Sequence, residues 1–221
     1  MHISIFDVLG PIMIGPSSSH TAGAARLAYI ARQIVGCDFK RVDFYLHGSF
    51  AQTYKGHGTD RALVAGALGL KEDDERLPQA FILAEKKGLT YSFQPIELEG
   101  VHENTVKMIF HLEDGQKNTI IGSSLGGAQI IISEIDGFAT EYRALSPTLL
   151  ITQQDRQGVI NKITSVLAAL DINIGVMKVS RKNRGSIASC IIETDEQIPA
   201  EVGKILRSIP QVNSVIIINA L

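Results

Sequence analysis

The chain has 221 residues, 45% of them hydrophobic and 20% charged, with a formal net charge of -2. These proportions exclude bulk disorder, and the mild acidity excludes a general nucleic-acid binder, which needs a basic face for phosphates. No apolar run reaches the roughly 18 residues of a membrane span, and the opening MHISIFDVLGP lacks the pattern of a secretory signal, so a cytoplasmic protein is expected.

In chain order, the first feature is Gly15-Pro16-Ser17-Ser18-Ser19-His20-Thr21-Ala22-Gly23. Gly-Pro fixes a turn, and an Ala-rich helix is predicted over residues 21–35, with Ser18, Ser19 or Thr21 as its cap. A helix entrance offers unpaired N–H groups and a partial positive charge, which suit a carboxylate or phosphate. His20 stands at that entrance. An alternating strand is predicted at 41–47. It leads to Tyr45–Thr53 and then Gly56-His57-Gly58-Thr59-Asp60. Gly56 and Gly58 flank His57, so the backbone brings the imidazole close to a ligand. Thr59 or Asp60 is the expected cap of a helix over 59–69, and Asp60 is placed to orient an imidazole N–H. Lys55 is able to bind an anion but reads first as an ordinary solvated lysine, and the run Lys71–Arg76 as a solvated turn.

A third helix is predicted over 78–87 and strands over 90–97 and 105–112. Asp114-Gly115 is a hairpin turn with its return strand at 118–122. Gly122-Ser123-Ser124-Leu125-Gly126-Gly127-Ala128 lacks the Lys of a Walker loop and reads as a tight turn with room for an anion at its border. Strands at 130–135 and 139–143 complete an α+β region with a largely antiparallel sheet. Ser146-Pro147 breaks regular structure, and the boundary is set at residue 147. All six histidines and sixteen of the 20 glycines precede it, and net charge changes from -4 (13 basic, 17 acidic) to +2 (8 basic, 6 acidic).

Residues 148–221 then read as strand 148–153, helix 159–170, strand 175–181, a turn at Lys182–Gly185, strand 186–193, a helix from Pro199 to 208 and strand 213–219. This βαββαβ order is ferredoxin-like. No metal-ligand or Ser-His-Asp spacing emerges. The two cysteines, Cys37 and Cys190, form no CxxC pair. They exclude a disulfide framework and a self-contained iron–sulfur cluster, which takes about three or four thiolates.

The segments Gly15–Ala28, Gly48–Gly69 and Gly122–Gly127 resemble the beta subunits of iron–sulfur-dependent bacterial L-serine dehydratases, over essentially the whole chain. Residues 1–147 also resemble the allosteric substrate-binding domain of some D-3-phosphoglycerate dehydrogenases, and residues 148–221 an ACT domain. The resemblance implies a lyase that converts L-serine to pyruvate and ammonia, with a [4Fe-4S] cluster held by a separate alpha subunit and not by this chain. It places the two histidine motifs near that subunit's active site or in an effector site for L-serine. His20 and His57 are the candidate catalytic residues. Ser17, Ser18, Ser19 and Thr21 are candidates for carboxylate contacts, with Gly56, Gly58, Thr59 and Asp60 in the same site. The ACT ligand loop would hold Asp155, Gly158, Val159 and Ile160. The alternative is a regulatory amino-acid-binding module without catalytic residues. An exposed sheet edge in the ACT-like half makes a homodimer the expectation for the isolated chain.

Overall fold

The computed structural model describes residues 14–219; the opening segment MHISIFDVLGP lies outside them. The chain divides into two units. One ends at Gly137 and takes in Glu141–Arg143; the other comprises Phe138–Thr140 and the chain from Ala144 onward.

In the first unit a π-helical turn, Ser18–Gly23, runs straight into α1 (Ala24–Val35). Then come β1 (Phe39–Leu46), α2 (Gly48–Thr53), α3 (Thr59–Ala67), a 3-10 turn at Leu77–Gln79, α4 (Ala80–Lys87) and β2 (Thr90–Pro95). The strands β3 (Thr105–Leu112), β4 (Lys117–Gly126) and β5 (Gln129–Ile135) follow, and the residues of β6 (Phe138–Tyr142) are divided between the two units. The sheet order is β2-β1-β3-β4-β5-β6. β1 and β2 are parallel, because three helices cross over between them; β3, β4 and β5 join by tight antiparallel turns. Period-two alternation puts Val42, Phe44 and Leu46 of β1 and Val106, Met108 and Phe110 of β3 on one buried face. There they meet α1, whose Leu27, Ile30 and Ala31 are wholly buried. The opposite face carries Asp43, which accepts hydrogen bonds from Ser92 (2.7 Å), Arg41 (2.9 Å) and His111 (2.7 Å). His111 therefore serves the sheet.

The structure corrects one expectation for the sheet and adds one element. Gly122–Gly126 is not a turn but the end of β4, longer than the expected 118–122, and the turn falls on Gly126–Ala128, all at positive φ. The small residues that suggest a loop are there because Ser123 and Ser124 are buried in a packed strand. In addition, Gly48–Thr53 forms a short helix that its glycine masks.

The second unit contains β7 (Thr148–Gln154), α5 (Val159–Ala169), β8 (Ile174–Arg181), β9 (Ile187–Thr194), α6 (Ala200–Arg207) and β10 (Val212–Ile218). The order β10-β7-β9-β8, antiparallel at each of its three pairings, is the ferredoxin-like sheet. Leu149, Ile151, Ile163, Leu167, Ile192 and Val202 form its core.

Cys190 lies in that core, and burial pushes its thiol up to about 12, from an ordinary 9.0. An unfolded chain releases this proton near pH 9, whereas the folded unit keeps it. Stability is therefore lost as pH rises above 9, by at most about 1.4 kcal/mol per pH unit. We expect the urea midpoint to fall more steeply between pH 8 and 10.5 in wild type than in Cys190→Ala. Equal falls would show that the thiol does not contribute.

Candidate functional site

Ser17 turns the chain into the first helix. Its hydroxyl accepts the His20 amide at 3.0 Å, so Ser17 is the cap, rather than Ser18, Ser19 or Thr21. The amides of Thr21 and Ala22 both donate to the Ser17 carbonyl, at 3.0 and 3.1 Å, which widens the first turn into a π turn. Thr21, Ala22 and Gly23 face the core, and His20 is half-buried on the other side.

The His20 ring is held at both nitrogens. Nδ1 lies 3.0 Å from the Ser19 hydroxyl, and Nε2 lies 2.9 Å from the hydroxyl of Ser49 on α2. Phe50 meets the ring edge-on at 5.3 Å between centroids, and the His57 ring lies 4.9 Å away. Burial, and then the charge of His57, hold the His20 imidazole below its ordinary 6.5. His20 is therefore mostly uncharged at pH 7, and the pair resists carrying two protons.

His57 is exposed on its loop. Its amide donates to Thr53 O at 3.2 Å, and its carbonyl accepts the Thr21 hydroxyl at 2.9 Å. Thr21 thus joins two motifs 36 residues apart. Gly58, at φ +69°, is the N-cap of α3, in a left-handed conformation that favours glycine over a β-branched residue such as Thr. The expected caps do other things. Thr59 is wholly buried with no partner for its hydroxyl among the described residues, and Asp60 accepts the Arg61 amide at 2.8 Å. Asp60 has no hydrogen bond to an imidazole among the described residues.

The third motif braces the first. The Ser124 hydroxyl donates to Ser19 O at 2.9 Å, and the Ala128 amide to Ser18 O at 3.2 Å. No spacing rule connects these positions, which is why the sequence shows three features where the fold makes one. Ser49 escapes sequence reasoning for the same reason: it lies inside a recognisable motif but 29 residues from its imidazole.

A cavity of about 200 Å³ opens beside His57. Gly15, Pro16, Thr21, Gly56 and Gly58 line it with His57; Ser17, Ser18 and Ser19 do not.

In the second unit, Asp155 accepts hydrogen bonds from Arg181 (2.8 Å) and the Gly185 amide (2.9 Å), which hold its carboxyl below the usual range. Gly158 caps α5 at φ +84° with open space around it. Any side chain there is strained by the backbone rather than by crowding. Val159 is buried and Ile160 packs against the core, so only Asp155 and Gly158 of the expected loop face outward.

The thiols do not suit a metal cluster. Cys190 is buried at a pKa of about 12, and Cys37 is exposed with its thiol raised by burial and by Asp114 and Asp38. Neither is a ready thiolate. Among the described residues no three His, Cys, Asp or Glu side chains are grouped to hold a metal ion, and no helix is long and apolar enough to cross a membrane.

Comparison with known proteins gives two family matches: the serine dehydratase beta chain over residues 4–86 and the ACT domain over residues 148–211. The chain is 43% identical to the L-serine dehydratase beta chain of Peptoniphilus asaccharolyticus, over 88% of each chain. It is 41% identical to a probable L-serine dehydratase beta chain of Bacillus subtilis, over 95% of this chain and 94% of that one. A D-3-phosphoglycerate dehydrogenase of Methanocaldococcus jannaschii is 26% identical over 89% of this chain, which spans 37% of that protein.

Proposed function

The chain belongs to the serine dehydratase beta-chain family, and on that premise we propose that it is one half of an L-serine ammonia-lyase whose alpha subunit carries the [4Fe-4S] cluster. The family match over residues 148–211 supports an ACT domain beginning at the boundary near residue 147. The single observation that carries a catalytic role for this chain is the His20–His57 pair, with ring centroids 4.9 Å apart, His57 lining a cavity and both His20 nitrogens held by hydroxyls.

Deamination of serine needs a base for the Cα proton and a way to lose the hydroxyl. A Lewis-acidic iron on the alpha subunit would supply the second. This chain's two thiols do not fit such a cluster, and its own residues act on the proton. His57, exposed in the cavity, takes the Cα proton. His20 stays uncharged beside it and keeps its orientation through Ser19 and Ser49. Because His20 resists protonation, the pair accepts one proton rather than two. Thr21 fixes the His57 carbonyl and so the height of the loop. The ACT match favours a second role, regulation by an amino acid at the Asp155–Gly158 loop, in the second unit.

The test separates the subunits. Purified alone, this chain should carry no stoichiometric iron and show no serine deamination; the cluster-loaded alpha chain should gain turnover when it is added. Cluster absorbance in the isolated chain, or full turnover by the alpha chain alone, would overturn the division of labour.

A further inference from the structure

The cavity beside His57 contains two cations: Lys55, which the sequence offers only as a lone lysine able to meet an anion, and Arg61, which it does not single out. Lys55 and Arg61 both line it, and no Asp or Glu is among the described residues that do. The rest of its wall includes the apolar Ile14, Pro16, Leu77 and Pro78. Both cations lie over aromatic rings rather than carboxylates: Lys55 Nζ is 5.7 Å from the Tyr54 centroid, and the Arg61 guanidinium 5.8 Å from that of Phe81. Neither forms a salt bridge among the described residues. By contrast, Arg26, Lys40, Arg41, Arg76 and Arg181 each do.

Two uncompensated cations in a concave, partly apolar pocket set up a field for an anion. At about 30 Å³ per water-sized group, 200 Å³ holds roughly seven such groups, the heavy-atom size of a small amino acid. The serine-rich turn is poorly placed to provide the anion contacts, since Ser17 and Ser19 are engaged with His20. We propose that Lys55 and Arg61 form the carboxylate subsite of the amino-acid substrate, with Arg61 presenting the planar fork and Lys55 a point charge. This rests on the reading of His57 as the group that meets the substrate Cα, and it adds the anchor that would orient that carbon.

The test uses the assembled two-subunit enzyme. Arg61→Gln and Lys55→Gln should each raise KM for L-serine about 10- to 100-fold, the effect of losing one charge-assisted hydrogen bond, with kcat within about threefold. Arg61→Lys should recover part of the loss. The double variant should melt like wild type. A double variant with unchanged KM overturns the subsite. So does a weakened subunit association whose kinetic defect disappears with excess alpha chain, since the cations would then face the partner. The underlying reading is judged separately by His57→Gln. A wild-type kcat there would remove the catalytic role while leaving a KM effect at Arg61 to stand as binding.

Discussion

In the assembled enzyme, His57→Gln is expected to lower kcat by about 10²- to 10⁴-fold, the range for losing a positioned acid–base group. Subunit association and the melting temperature should not change, because the His57 side chain is exposed and its loop is held by backbone bonds and by Thr21. His20→Ala should cost at least tenfold in turnover, and Ser49→Ala should fall between it and wild type, since Ser19 still holds one ring nitrogen. The pH profile provides a readout that a merely structural role would not move. The folded His20 binds a proton less readily than an ordinary histidine, so any loss of turnover that comes from protonating His20 should lie below pH 6.5 and should disappear from the profile in His20→Ala. The same shift means that the unfolded chain takes up that proton first, so stability is lost as pH falls below 6.5. Wild-type turnover in both histidine variants would make the pair bystanders.

The second large effect is expected in the scaffold. Gly66 lies on α3 against α1, where an added Cβ would collide with the Ala25 carbonyl and stand 2.7 Å from the Tyr29 amide and 2.8 Å from the Ala28 Cβ. The first two are backbone atoms and cannot rotate away. Gly66→Ala gains about 1 kcal/mol of helix propensity, but overpacking a rigid contact costs about 1–3 kcal/mol, and more when backbone must move. We expect a net loss of roughly 2 kcal/mol, read as a melting temperature lower by about 4–8 °C. Activity should fall with it, because α3 begins two residues after His57. A variant that melts higher than wild type would show that the two helices separate easily.

Much of this fold is legible because single segments declare themselves. β3 falls on the expected residues 105–112, and the Asp114-Gly115 hairpin comes from turn chemistry. The ferredoxin-like order rests on clear alternation and helix periods over 148–219. The illegible part is the part that depends on distance. Ser124 reads as part of a loop because nothing local reveals that it is buried against the turn bearing His20. Lys55 reads as solvated because a lone lysine in a sequence does not show that Arg61 shares its cavity. The cap of the first helix is misplaced onto the serines and the threonine after Ser17, because local rules rank all of them alike and only the widened turn selects Ser17.

That widened turn separates two demands on one stretch of chain. An i to i+5 turn holds more residues than an ordinary helical turn, so it shifts the angular phase of the residues before it and leaves the helix beyond it in place. Downstream, Ala25 and Ala28 are the small residues that let the backbone of α1 lie close to Gly66. Upstream, His20 is turned toward Ser49 and Phe50 of α2, with Ser17 and Ser19 bonded to it. The direction of the imidazole is thus set within the turn, which Ser124 and Ala128 clamp by its Ser19 and Ser18 carbonyls, while the packing of α1 is set beyond it.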